Sequence, residues 1–540
     1  SPAIDKGINA LSLTTDQRGA GFARVIDNAA ANAADGTDIG AYEAPPPSPT
    51  VTSVNPTSGP QAGGNSVTIT GTGFTGVTTV TFDALACTAV NFVSDTQISC
   101  TAPAHGPGAV SVIVTTPGGT NAANTLYTYV TPCVTDPVVT TNTDSGAGSL
   151  RNAIAEACAG STITFDMNAV VSPIGLTSGN LVVDKNLTIQ GPGAGVLAVS
   201  NTIVPAFGVG PDSLRIFKVQ ASVTATISGL TIRDGKLQWN NLTPAQNCNP
   251  EWSLGGGILN SGNLTVDHVI VRNNETATYE FSPQCSQTGQ GNGIFNFGTL
   301  TVNSSEINDN GGINGWGYGG GISNHGLLYV NDSTITNNRV AGLVAGGGIY
   351  NEPGATAYIN RSTISNHSQN GIANGGQLYV DNSTISGNAT GGISNVCAFA
   401  RVTNSTITNN SVNGLFGGFW TYSVCFGSSN VTEFRNTIIA GNTVGDFYFD
   451  AGSYTGSPYP QAVSLGNNLI GIVPAEVSGI PWNSGFNAPG DQIGSPATPI
   501  NPLLGPLANN GGPTQTHALL PGSPAIDKGI NALSLTTDQR

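Results

Sequence analysis

Five carboxylates in the middle of the chain, Asp267, Glu306, Asp332, Glu352 and Asp381, are the residues whose type could do acid and base chemistry. Hydrolysis of a glycosidic bond needs two carboxyl groups clustered around one oxygen. Eliminative cleavage needs calcium-binding carboxylates with an Arg or Lys beside the abstracted proton. Most of the five instead stand in the turn before a Ser-Thr-Ile stretch, where Asp and Asn are ordinary corner residues. Asp332 and Asp381 could approach across two repeats, but no Arg or Lys accompanies both. The histidines, His105, His268, His325, His367 and His517, are dispersed without an HxH or HExxH spacing, which favours structural roles over metal binding. The glycine triplets at 255–257 and 319–321 lack the Lys-Ser/Thr of a phosphate loop and the Asp of calcium-binding nonapeptides, so they read as tight turns. The expectation is a chain that is not an enzyme, with no catalytic residue, no metal and no cofactor.

The eight cysteines fall into neighbouring pairs: Cys87 and Cys100, Cys133 and Cys158, Cys248 and Cys285, Cys397 and Cys425. None has CxxC or Cys/His metal spacing. They are either buried thiols or four local disulfides; the second reading places the chain outside the cytoplasm, and the connectivity stays open. The inserts between repeats carry aromatic residues, of which Trp316, Tyr318, Trp420 and Tyr422 are the candidate binding aromatics. They would dock sugars or a neighbouring fibre, or cover one face of the fold. Asn-x-Ser/Thr triplets such as 382–384 and 404–406 are by-products of the repeat and potential modification sites.

Charged residues make up 9% of the 540, the net charge is −15 and Gly occurs 73 times. An acidic chain of this kind is an unlikely match for nucleic acid. Gly, Asn, Thr, Ser, Val and Ile in such abundance suit short strands joined by tight turns. No run of eighteen apolar residues spans a membrane. Without an initiator Met or leader, the chain reads as a piece of something exported.

Residues 1–18, SPAIDKGINALSLTTDQR, recur without a difference at 523–540, an offset of 522 residues. A tandem array of that period explains the identity; so do separate subunits that each lend a first segment to a neighbour, and an artefact is the third reading. The first two predict partners that are adjoining copies joined head to tail, growing into an open filament unless rotation closes a ring. Residues 1–44 would then complete the last coils of the preceding copy.

Residues 45–50, PPPSPT, read as a stiff linker, and 51–130 as five or more short alternating strands, a small antiparallel sandwich. The stretches PTSGPQAGGNSVTITGTGF and VTFDALACTAVNFVSDTQISCTAP resemble the IPT/TIG family of immunoglobulin-like domains, which implies a spacer or docking module. Residues 131–160 hold the one clear helix, with Leu150, Ile154 and Cys158 on one face and Ser149 as N-cap. The run Ser149-Leu150-Arg151-Asn152-Ala153-Ile154 resembles the N-terminal cap of bacterial right-handed β-helix proteins. From 161 to 540 one phrase recurs. Its marker isoleucines, Ile258, Ile294, Ile322, Ile349, Ile372 and Ile393, are 36, 28, 27, 23 and 21 residues apart. Each phrase offers three strand-like pieces (GI-x-N, L-x-V and S-T-I) and so reads as one coil of a right-handed parallel β-helix. About 14 coils at ~4.8 Å each would make a rod of roughly 70 Å.

A second column of inward residues, Ile270, Ile307, Ile335, Ile364, Ile385, Ile407 and Ile439, is followed three residues later by Asn273, Asn310, Asn338, His367, Asn388, Asn410 and Asn442. This is an expected asparagine ladder in αL turns. The phrases resemble polymorphic outer-membrane proteins, and NNGGPTQTHALLPGSPAIDKG resembles the terminal segment of choice-of-anchor Q β-helix proteins, which implies an exported, cell-surface bacterial protein. The expected fold is all-β: a capped right-handed parallel β-helix plus an immunoglobulin-like sandwich. The expected function is that of a repeat unit in an extracellular filament. An adhesin that grips polysaccharide through aromatic loops is the alternative, and a polysaccharide lyase or hydrolase the third reading.

Overall fold

A computed structural model describes residues 13–15, 17, 20, 47–202, 215–237, 250–276, 279–280, 286–287, 289–311, 317–340, 346–411, 417–422, 431–443, 445–450, 461–473, 476–477, 480–481, 485–531 and 537–539. The expected coils in 1–44, and Cys248, Cys285 and Cys425, therefore lie outside the described residues. The chain divides into two units, 1–133 and 134–540.

In the first unit, alternation of small β-branched residues builds antiparallel ladders. One sheet joins Thr50–Asn55, Ser66–Thr72, Gln97–Thr101 and Thr88–Ser94; a second joins Gly119–Thr120, Val112–Thr116, Thr79–Phe82 and Leu85–Ala86. Inward residues Val67, Ile69, Phe82, Ile98, Val112, Val114 and Tyr127 are buried between them. The Phe82 ring meets Tyr127 edge-on at 4.8 Å, an arrangement favoured by the ring quadrupoles. Cys87 and Cys100 are joined by a disulfide of 2.02 Å.

The second unit is a parallel β-helix. Each coil contributes one strand to each of three parallel sheets, of ten, twelve and twelve strands. The Ile-Asn sheet carries the marker isoleucines, the Leu-Val sheet follows it in each coil, and the Thr-Ile sheet closes the turn. Like residues stack on like: Ile258 pairs in register with Ile294, then Ile322, Ile349, Ile372 and Ile393. Side chains of period two put these isoleucines inside, with Val266, Val302 and Val330 from the next sheet, at 0% exposure. Among the described residues the stack shows twelve levels, about 50 Å at ~4.8 Å per level, against the fourteen expected. Early coils carry long inserts, and the coils end at Gln492–Ile493. Residues 494–531 and 537–539 do not continue the coils as expected; they fold back along the flank of the helix.

Helix α1 spans Leu150–Glu156, with Ser149 accepting from the Asn152 N–H as N-cap. Its apolar face, Leu150, Ala153 and Ile154, is buried against the first coil. The Lys185 ammonium donates to the Ala155 carbonyl at 2.8 Å, satisfying the exposed end of the helix. Cys158 lies beyond the helix and does not share its face; Cys133, Cys158 and Cys397 are disulfide-bonded.

The asparagine ladder runs through the corner after the Thr-Ile strand. Asn310, Asn388 and Asn410 are fully buried. Asn310 accepts from the Asn274 amide at 2.9 Å and main-chain N–H at 3.1 Å, and donates to Asn338 at 2.9 Å and to the Val271 carbonyl at 2.9 Å. Two donors and two acceptors are thereby used. Its first member is Asn274, not Asn273. Val271, not Ile270, pairs with Ile307 and points inward; a one-residue slip exchanges the two faces of a strand. The αL residue is the one before each ladder member: Asn273, Asp309, Asn337, Asn366 and Asn409 have φ of 54°, 52°, 55°, 57° and 56°. His367 interrupts the amides, and Asp446 ends them by accepting the Asn442 amide and N–H, both at 2.9 Å.

A second ladder, unforeseen, lies two residues after each marker isoleucine. The Asn260 amide donates to Asn296 at 2.7 Å, and the chain continues through Asn324, Asn351 and Asn374 to Asn395. It ends on the Thr432 hydroxyl at 3.0 Å. A third column is made of serines: the N–H groups of Ser305, Ser333, Ser362 and Ser383 each donate to the next coil's Ser Oγ at 3.1–3.2 Å.

Candidate functional site

In the Thr-Ile strands Ile364 and Ile385 point inward, so Thr363, Thr384 and Ser386 face outward. They are nonetheless buried, because the returning C-terminal segment lies over them. Its antiparallel pair, Leu504–Ala508 and Thr516–Leu519, forms the centre of this strap. The Gln539 amide donates to the Ser362 carbonyl and the Thr363 hydroxyl, both at 3.2 Å, and accepts from Thr384 at 2.7 Å. Further along, Asn436 donates to the Ile530 carbonyl at 2.5 Å and accepts its N–H at 3.0 Å. Asn467 holds the Lys528 carbonyl at 2.6 Å and Gln492 holds that of Pro524 at 2.9 Å. Clefts of about 320, 270 and 510 Å³ remain beneath the strap.

His517, on the strap, lines two of these clefts. Its Nδ1 donates to the Gly505 carbonyl at 2.7 Å, which leaves Nε2 as the acceptor for the Ser386 hydroxyl at 2.8 Å. Burial holds the imidazole below its usual pKa, against the raising effect of the Gly505 bond. A hydroxyl that donates to a neutral, oriented imidazole has the geometry of a nucleophile with its base, although Ser386 is 3% exposed.

The carboxylates do not cluster. Asp332 is bound in two-pronged fashion by Arg361, Nε and Nη2 each at 2.7 Å. Asp381 accepts from Thr403 at 2.6 Å and Asn404 at 2.8 Å. The expectation that no cation accompanies both is corrected: Arg361 lies on the coil between them. Its hydrogen bond to Asp332 outweighs burial and, with the charges of Asp332 and Asp381, raises its pKa, so it is held as a cation and is a poor proton acceptor. Asp267 pairs with His268 at 3.0 Å, Glu306 accepts from Asn308 at 2.6 Å, and Glu352 adjoins Tyr350, whose pKa burial and then Glu352 push upward. Among the described residues no group of three His, Cys, Asp or Glu could hold a metal ion. Of the potential modification sites, Asn382 is buried and Asn404 is bonded to Asp381.

The aromatic residues are placed differently from the expectation. Trp316 lies outside the described residues, as does the side chain of Tyr422. Phe419 and Trp420 are not in an insert: they belong to the coil strand Phe419–Tyr422, Phe419 inside the core and Trp420 at 5% exposure. Tyr318 packs on Tyr350 at 4.8 Å. The aromatic row that sequence reasoning missed is on the Leu-Val sheet, where Tyr329, Tyr358 and Tyr379 stack at 5.1 and 4.8 Å, 10° from parallel. Its signal was a Tyr at one fixed place in the repeats LLYV, TAYI and QLYV. Their ring faces are spent on each other, which favours coil stacking over sugar binding.

Residues 49–129 match the IPT/TIG domain family. That stretch is an IPT/TIG domain. No curated protein matches the chain. Among solved structures, SGBP-B from a complex xyloglucan utilization locus in Bacteroides uniformis is 22% identical over 17% of this chain, with a TM-score of 0.14; the chain spans about a quarter (25%) of its length. The Azotobacter vinelandii mannuronan C-5 epimerase AlgE4 A-module is 13% identical, covering 63% of this chain and 89% of that one, with a TM-score of 0.34. Pectate lyase Pel9A is 13% identical, covering 67% and 74%, with a TM-score of 0.28. The fold stands on the strand register above, and likenesses this low transfer no chemistry. They do correct one expectation: an epimerase and a lyase are among the matching structures, so the statement that the chain is not an enzyme is withdrawn. Disulfides and an IPT/TIG domain mark a secreted or surface protein. No described helix is long and apolar enough to cross a membrane.

Proposed function

We propose that the chain is a structural unit of a bacterial cell-surface assembly, its copies joined head to tail through the repeated eighteen residues. The observation that carries this reading is that residues 523–540, identical to 1–18, hold the flank of the solenoid through Gln539, Ile530 and Lys528. The stacked core, three polar columns and a half-buried row of stacked tyrosines suit a stiff spacer, with the IPT/TIG domain as a joint or docking module. Light scattering and negative-stain microscopy over a concentration series test it: oligomers of fixed repeat support it, and a monomer at every concentration overturns it. A denaturing mass of 54.6 kDa would mark separate subunits; a mass larger by whole 522-residue periods would mark a covalent array.

The Ser386–His517 pair supports a second reading, acyl transfer beneath the strap. Ser386 Oγ would attack an ester carbonyl while His517 Nε2 takes its proton and returns it to the leaving alcohol, and water deprotonated by the same Nε2 would then release the acid from the Ser386 ester and restore the hydroxyl. Ester hydrolysis lost in Ser386→Ala and His517→Gln would support this; equal rates in wild type and variants would end it.

A further inference from the structure

Within its last eighteen residues the strap meets the coils through four positions, the Pro524, Lys528 and Ile530 backbone and the Gln539 side chain; Thr514, Gln515 and His517 add contacts from outside that stretch. All four fall inside the repeated eighteen residues, and their equivalents are Pro2, Lys6, Ile8 and Gln17. The coil side of the seat is a line of polar side chains, Thr363, Thr384, Asn436, Asn467 and Gln492. The clefts beneath the strap show that it is not sealed by a dry apolar interface. Docking rests on discrete polar contacts, most of them to backbone atoms, and any segment with the same sequence offers the same partners at the same spacing.

We infer that residues 1–18 of one copy bind this seat on the solenoid of another copy, in the place that 523–540 occupy here. This deepens the head-to-tail reading and rests on it for its biological meaning, but not for its test. Exchange of an identical element between copies is a low-cost route to assembly, since each contact given up within a chain is regained between chains. A heterologous contact of this kind propagates in a chain that ends at residue 522, because a copy that lends its first segment keeps its own seat open to the next.

The test uses the full chain, a chain of residues 19–522 lacking both segments, a chain of residues 1–522, and a fluorescent peptide of residues 1–18. The peptide is expected to saturate 19–522 at one per chain, to leave the full chain unlabelled, and to lose at least about tenfold in affinity with Gln17→Ala or with Asn436→Ala in the seat, a loss of ~1.4 kcal/mol or more. If 19–522 folds poorly alone, the peptide added during refolding should restore its β signal and a scrambled peptide should not. Equal labelling of all chains, no labelling of 19–522, or rescue by the scrambled peptide overturns the inference. Labelling of 19–522 with 1–522 remaining monomeric supports the seat while sinking head-to-tail assembly; assembly of 1–522 without peptide binding does the reverse.

Discussion

His367 shows how much one ladder position controls. Its Nδ1 accepts the Asn338 N–H at 3.1 Å, so in the neutral ring Nε2 carries the proton, and that atom is buried without a partner. Burial brings its pKa down to about 3. The unfolded ring titrates near 6.5. Between these values the unfolded state binds the proton, so the histidine's stability contribution is complete above about pH 6.5 and is lost as pH falls toward 3. His367→Asn should therefore stabilise by roughly 1–2 kcal/mol at pH 7.5, with an advantage that widens at pH 4.5, measured by urea melts at both. Asn310→Leu should do the opposite. It orphans the Asn274 amide and N–H, the Asn338 oxygen and the Val271 carbonyl, and should cost about 3 kcal/mol or more in the same melts. Much of this was legible in the repeats, yet the ladder's first member was misplaced. The run His268-Val269-Ile270-Val271 offers two alternations, and matching Ile to Ile chose the wrong one. The constant step of 36 residues from Ile258 to Ile294 carries Val271 onto Ile307 and Asn274 onto Asn310, so spacing held the answer that residue identity hid.

At the scale of elements, the cap explains why an arginine follows Ser149 and Leu150. Arg151 donates to the Gly179 and Asn180 carbonyls at 2.6 and 2.7 Å and to Asp144 at 2.6 Å, tying the helix to the first coils. Burial would raise the Asp144 carboxyl, but bonds from Ser178, Arg151 and Thr177 hold it below the usual carboxylate range. Its contribution is present above about pH 3.9 and is lost as pH falls through the lowered value. Arg151→Met should open the first coils: hydrogen exchange over residues 138–183 should quicken while residues 294–410 stay protected, and uniform quickening would contradict a local cap. The strap is a different case. Its contacts join positions 32 to 177 residues apart through side chains common all along the repeat, so no local pattern announces them. With His517 held neutral by burial, strap docking should be complete above about pH 6.5 and weaken as the pH drops. Limited proteolysis within 509–531 should accelerate from pH 7.5 to 5, and less so in His517→Gln.

At the scale of the molecule, the IPT/TIG domain and the solenoid have separate cores and should melt separately. Replacing Cys87 and Cys100 together by Ala should remove about 2–4 kcal/mol from the sandwich transition and leave the solenoid transition in place by calorimetry. The class of each unit could be read from sequence because each repeats a local pattern: alternation in one, the three-piece phrase in the other. The expected level count exceeds the twelve seen among the described residues because a mean coil length takes no account of the long inserts.

In both columns the side-chain-to-side-chain bonds run in one sense, from an amide N–H to the side-chain oxygen of the coil that follows, while in the Asn310 column the second N–H donates back to a main-chain carbonyl of the preceding coil. Main-chain bonds in parallel strands alternate in direction and largely cancel; these side-chain dipoles add. The solenoid is therefore electrically polar along its axis, and Asp446 sits where the last uncompensated amide hydrogens emerge. A designer could lengthen such a fold by duplicating an interior coil, whose amides would slot into an unbroken row. Grafting coils beyond Asp446 would instead trap a carboxylate in mid-column, facing an oxygen it has no proton to greet.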